Sequence, residues 1–187
     1  MAQHIPYTVN CSILLTDLPL HERPAAARAA GFDGVELWWP FATSTPAADE
    51  VDAFVRAIRD AGVQLTGLNF NAGDMPGGDR GLVSWPARSA ELRENLDVVT
   101  EIGERTGCRA FNALYGNRVA GEDPAAQDAL GAENLALAAR AVARIGGTVL
   151  LEPVSGADAY PLRTSGDVVA VLDRVRDEHG ATNLGLL

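Results

Sequence analysis

Glu152 follows the apolar run Val149, Leu150 and Leu151 and stands directly before Pro153, in the segment GTVLLEPVSG at residues 147–156. A carboxylate beside apolar strand walls is costly to ionise unless a cation or several donors compensate it. A glutamate here therefore points to a metal ligand or an acid/base, with an arginine partner or a capping role as the structural alternative. Glu36 in GVELWWP repeats the pattern. Strand alternation turns Val35 and Leu37 to the other face, so its carboxylate points toward the opposite side, to a substrate or to a buried arginine.

Asn69 and Asn71 flank Phe70 at the end of a third apolar run, and alternation sends both amides to one side. They could orient a small polar substrate there, or be satisfied within the loop. The loop NAGDMPGGDRGLVSWP at residues 71–86 carries Asp74, Asp79 and Arg80 among glycines. Such a loop could fold over a site as a lid, with Arg80 meeting a substrate carboxylate bidentately; the alternative is a salt bridge from Arg80 to an aspartate that holds the loop together. The candidate site is thus Glu152 for catalysis and metal binding, with Glu36, Asn69, Asn71, Asp74 and Arg80 for substrate. Trp38, Trp39 and Trp85 read as rim or core packing ahead of a stacking platform. His4, His21 and His179 read as surface residues, and no HExxH, GxSxG or Ser/His/Asp set occurs.

These residues need elements to position them. Five times a helical pattern stops at a glycine and an apolar run follows within one to three residues, as in AAGFDGVELWW from Ala29 and RTGCRAFNALY from Arg105. The intervening helices carry apolar stripes: Val51, Phe54, Val55, Ile58; Leu92, Leu96, Val99, Ile102; Leu135, Ala138, Val142, Ile145; and Val168, Val171, Leu172, Val175. Thr45-Pro46, Asp123-Pro124 and Thr164 are the expected helix starts. With YTVNCSILL from Tyr7 as the first strand, six strands begin near residues 7, 33, 63, 109, 147 and 183. Strict alternation of strand and helix implies a parallel sheet covered by helices.

Long strand-to-helix loops that hold all the unusual chemistry favour an α/β (β/α)8 TIM barrel over an open doubly wound sheet. The turn after the first strand, TDLPLHERP, has no glycine, so the dinucleotide fingerprint is absent. The expectation is a single TIM-barrel domain over residues 1–187 with about six strands and five helices. A complete barrel takes about 250 residues, so strands 7 and 8 with their helices are expected to be missing from this sequence.

Composition bounds the partners. The 187 residues are 47% hydrophobic and 21% charged, with a formal charge of −10, and all fifteen basic residues are arginines scattered among twenty-five acidic ones. Phosphate backbones would be repelled over most of such a surface, which argues against nucleic acid. The absence of lysine removes Schiff-base chemistry and a P-loop. Cys11 and Cys108, far apart, read as buried reduced thiols. No apolar run approaches the roughly 18 to 20 residues that span a bilayer, and a cytoplasmic protein is expected. A homo-oligomer formed through exposed apolar surface stays open.

The motifs NCSILLTDLP, GFDGVELWWPF, NFNAGDMPGGDRGLVSWP and LLEPVSG stand in the order and spacing of the hydroxypyruvate isomerase family, among the xylose isomerase-like barrels, which this chain resembles from about Asn10 onward. AGDMPGGDRG is the most specific of them. The resemblance implies a divalent-metal enzyme, with Mg or Mn, that interconverts hydroxypyruvate and 2-hydroxy-3-oxopropanoate (tartronate semialdehyde) through an enediolate. It places Glu152 as the first active-site glutamate, binding metal and moving protons, and puts the remaining ligands and a second glutamate after Leu187. Ser155 where the family commonly has Asn, and Leu68-Asn69 where it has a His-Asn pair, are departures that bear on substrate. A related sugar or keto-acid isomerase or epimerase, a non-catalytic binding module, and an endonuclease on the same fold are the other readings.

Overall fold

A computed structural model describes residues 5–187; His4 lies outside them. The elements run β1 (Thr8–Asn10), α1 (Arg23–Ala29), β2 (Gly34–Leu37), α2 (Ala48–Ala61), β3 (Gln64–Asn69), α3 (Ser89–Thr106), β4 (Ala110–Asn112), α4 (Pro124–Ala143), β5 (Thr148–Leu151), α5 (Ser165–His179) and β6 (Leu184–Leu186). All neighbouring strands pair parallel, in the order β1-β2-β3-β4-β5-β6. A doubly wound sheet would reverse its order at a switch point. Here the chain steps one way only, and right-handed crossovers then put every helix on one face, each packed against the next. This is the arc of a (β/α)8 barrel.

Strand alternation separates the two faces. Val9, Val35, Leu37, Leu65, Leu68, Phe111, Val149 and Leu151 point to the helices and are all buried. They meet Phe54, Val55 and Ile58 of α2, Val99 and Ile102 of α3, and Leu135 and Val142 of α4 in one core. Each such side chain contributes roughly 1.5 to 3 kcal/mol of burial. A register shift between Val35 and Glu36 against β3 keeps Glu36 opposite Gly67 and Leu37 opposite Leu68, so the inner face reads Asn10, Glu36, Asn69, Asn112 and Glu152 along five successive strand ends.

The expected helix starts hold at two of three places. Asp123 Oδ1 accepts the Ala125 N–H at 3.2 Å, and Thr164 and Asp167 form a reciprocal capping box. Thr45-Pro46 does not open α2: the helix begins at Ala48, where the Glu50 carboxylate accepts the Ala47 N–H at 3.0 Å. The first strand is shorter than YTVNCSILL suggests. Asn10 Oδ1 takes the Ser12 N–H and Asn10 O takes the Leu14 N–H, both at 2.9 Å, which bends the chain into a turn after three strand residues. Ile13 and Leu14 are consequently exposed.

Candidate functional site

The parallel strands all end at the same side of the sheet, and the segments that follow β2 to β5 line a cavity of about 930 Å³. Its wall includes Trp38, Trp39 and Phe41 after β2, Asn71 to Pro76 and Arg80 after β3, Leu114 after β4, and Glu152 to Ser155 after β5. Four of the six expected site residues therefore share one space: Glu152, Asn71, Asp74 and Arg80. Glu36 and Asn69 do not line it.

Glu152 is fixed at two points. Asn112 Nδ2 donates to its Oε1 at 2.9 Å. The buried Tyr160 hydroxyl donates to the Glu152 backbone carbonyl at 3.2 Å and accepts the Tyr115 N–H at 3.0 Å. Burial pushes the Tyr160 phenol well above its ordinary range; the Tyr115 N–H opposes the shift and the nearby Glu152 charge adds to it. The phenol thus stays a neutral donor. Glu152 Oε2 has no hydrogen-bond partner among the described residues.

The glycine-rich loop is pinned at its base. Gly81 N–H donates to Ala72 O, Gly116 N–H to Arg80 O and Ser84 N–H to Tyr115 O, at 2.8 to 3.0 Å. Arg88, not Arg80, makes the salt bridge that holds the tip: it reaches Asp79 at 2.8 Å and grips both oxygens of Glu91 at 2.8 and 2.7 Å. Its guanidinium also lies 5.1 Å over the Trp85 ring. The Glu91 hydrogen bonds are the main reason its pKa is raised. Arg80 spends Nη1 on the carbonyls of Met75 and Asp79, at 3.1 and 2.7 Å, and forms no ion pair among the described residues. It is a cation in the cavity wall without a carboxylate.

Asn71 is not free to greet a ligand. Its Nδ2 donates to Glu91, its Oδ1 accepts the Gly73 N–H, and its own N–H is taken by the buried Asn95 of α3 at 2.8 Å. Asp74 caps its own turn by accepting the Gly77 N–H at 3.0 Å. Glu36 accepts Asn10 Nδ2 at 2.9 Å, with no arginine partner among the described residues. Asn69 is 7% exposed, and its Nδ2 has no partner among the described residues.

Sequence reasoning passed over Asn112, Tyr160, Arg88 and Asn95. Asn112 in FNALYG carried the same signal as Glu152, a polar residue closing an apolar strand; Asn95, an amide on the buried face of α3, breaks the Leu92-Leu96-Val99 stripe. The two cysteines are buried free thiols, as expected. Among the described residues no group of three His, Cys, Asp or Glu side chains is placed to hold a metal ion. Glu152 is one donor, its neighbour Asn112 presents an N–H to it, and together they do not make up a metal site.

Comparison with known proteins gives consistent matches. The sequence profile of the xylose isomerase-like TIM barrel family matches residues 24–186. A Streptomyces coelicolor protein, whose name of hydroxypyruvate isomerase is provisional, is 54% identical over 185 residues, 97% of this chain and 66% of that protein. The 2-oxo-tetronate isomerase of Cupriavidus necator is 35% identical over 182 residues, 95% of this chain and 65% of that protein. The chain thus spans just under two thirds of the length of both. A Brucella melitensis crystal structure described as an AP endonuclease, family 2, superposes with a TM-score of 0.79 at 26% identity, covering 97% of this chain and 67% of that one. D-psicose 3-epimerase shares the fold at a TM-score of 0.73 and 16% identity, over 97% of this chain and 62% of that one.

Proposed function

This chain belongs to the xylose isomerase-like TIM barrel family, and from that premise we propose that it serves an isomerase of small hydroxy-keto acids, interconverting hydroxypyruvate and 2-hydroxy-3-oxopropanoate. One observation carries the reading: Glu152 and Arg80 line the same cavity, and among the described residues one Glu152 carboxylate oxygen is unpartnered and Arg80 forms no ion pair. A keto acid needs a cation for its carboxylate and a base for the hydrogen beside its carbonyl.

In this reading Arg80 anchors the substrate carboxylate. Glu152 Oε2 takes a proton from the hydroxyl-bearing carbon, leaving an enediolate. Protonation at the neighbouring carbon, with transfer of the hydroxyl proton to the former carbonyl oxygen, gives the isomer with no atom gained or lost. The Trp38 and Trp39 wall keeps bulk water from the enediolate. Glu152 is also the carboxylate this chain would offer to Mg or Mn. Titration of the purified protein with Mn, read by electron paramagnetic resonance against E152Q, tests that contribution.

The test of function is turnover of hydroxypyruvate followed by proton NMR in D2O. Wild type is expected to wash deuterium into the carbon-bound position, and E152Q to lose activity by about a thousandfold. R80A should raise KM about tenfold or more for the acid through loss of a charge-assisted pair, while leaving neutral ketoses unaffected. Undiminished turnover in E152Q would sink the proposal. Conversion of neutral ketoses in preference to the acid would support the epimerase reading that the D-psicose 3-epimerase likeness raises. Binding of hydroxy acids without any exchange would support a binding module.

An endonuclease reading is raised by the Brucella melitensis structure. A formal charge of −10 opposes it, and salt-sensitive DNA binding would revive it.

A further inference from the structure

Two strand ends on the inner face use the same construction. An asparagine at the end of one strand donates to a glutamate on the next: Asn10 Nδ2 to Glu36 Oε1, and Asn112 Nδ2 to Glu152 Oε1, both at 2.9 Å. The pairs differ in what surrounds them. Asn10 is satisfied at both ends of its amide, since its Oδ1 accepts the Ser12 N–H, and its glutamate lies off the cavity. Asn112 is more than nine-tenths buried, its Oδ1 has no partner among the described residues, and its glutamate lines the cavity. Its paired position on β3 is Asn69, whose buried Nδ2 is also unpartnered among the described residues.

An amide kept for packing would not leave a buried acceptor unpaired, because an apolar residue such as its β5 register partner Leu150 would fill the same face without one. Nor can the Asn112 amide turn over: Oδ1 would then face a carboxylate oxygen. The orientation that strands Oδ1 is the one that serves Glu152.

We infer that Asn112 is the positioning residue of Glu152: it holds Oε1 by an N–H bond and thereby selects Oε2 as the oxygen that acts on the ligand. With the backbone carbonyl held by Tyr160, the side chain is fixed at its root and at one oxygen, and only the other is left to exchange a proton. The assignment rests on the isomerase reading for what Oε2 does, but not for the Asn112 to Glu152 link.

N112L tests it, being close in volume and without a donor. In the isomerase assay it should lower kcat about tenfold or more with KM changed less than about threefold, and its melting temperature should match wild type, because an orphan acceptor is removed along with the donor. Unchanged kcat, or a loss of kcat that follows a fall in melting temperature, would overturn the assignment. A second readout needs no turnover. In 1H–15N spectra of the folded chain, one Asn112 side-chain amide proton should lie downfield of its geminal partner through its bond to the carboxylate, and move upfield in E152Q. Equal shifts in wild type and E152Q would overturn the link. Wild type without turnover but with that downfield proton would refute the isomerase reading and leave the positioning role standing.

Discussion

Arg88 illustrates how little the type of a residue says about its task when another like it stands close by in the chain. Arg80 and Arg88 are eight positions apart and both line the cavity, yet one is matched by two carboxylates and stacked on an indole while the other has backbone partners only. The planar fork is what Arg88 uses, since it takes both Glu91 oxygens and Asp79 together. Lysine cannot repeat this. Discounted for a side-chain exposure of 28%, the loss in R88K should be about 1 kcal/mol, read as a small fall in melting temperature. The larger effect should be local: thermolysin should cut residues 74–79 faster in R88K than in wild type. Equal cleavage rates would show that the loop tip is held by its pinned base alone.

At the scale of elements, the loop base and the helix ends depend on glycine in different ways. Gly81 has φ +109°, and a Cβ built there would run into the Leu114 carbonyl, next to the bridge with Tyr115. Gly107 has φ +82° at the end of α3, with nothing within 4 Å of a Cβ. G107A should lose about 1 kcal/mol, from the left-handed backbone alone. G81A adds a clash that only movement of the β4 loop relieves, so a loss of about 3 kcal/mol or more is expected. Urea denaturation of both variants checks the ranking, and similar midpoints would mean that the two loops are not in close register. Helix α4 shows the same dependence on a neighbour: at Gly131 a Cβ would meet the Tyr115 ring and hydroxyl, so the small residue lets the helix approach the phenol that Asp128 binds.

For the molecule as a whole, the buried thiols link stability to pH. Burial lifts Cys108 from 9.0 to about 11, and also lifts Cys11. Between those two values the unfolded chain has released the Cys108 proton and the folded chain keeps it, so the unfolded state binds fewer protons and stability falls as pH rises. The contribution is fully present below pH 9 and about 2 kcal/mol of it is lost by pH 11. Urea midpoints at pH 8, 9.5 and 10.5 should decline, with C108A flattening the trend; a trend unchanged in C108A would assign it to other groups. Neither cysteine should react with a disulfide reagent at pH 8 until the chain is unfolded.

The sequence by itself determined the alternation of strand and helix, the barrel winding, the helix-facing core and the place of Glu152, because periodicity, capping residues and strand-end punctuation act over a few neighbours. It also brought four of the six candidate residues to one cavity, since loops that follow parallel strands all open at the same end of the sheet. Only the tertiary structure decided which polar groups meet. Asn112 and Glu152 are forty residues apart, Asn95 and Ser44 fifty-one, and Tyr115 and Tyr160 forty-five. Nothing local distinguishes an asparagine that will donate to a glutamate from one that will tie down its own loop, as Asn71 does. Hydrogen bonds depend on distance and angle between side chains that neighbouring strands bring together, and strand register is a property of the whole sheet.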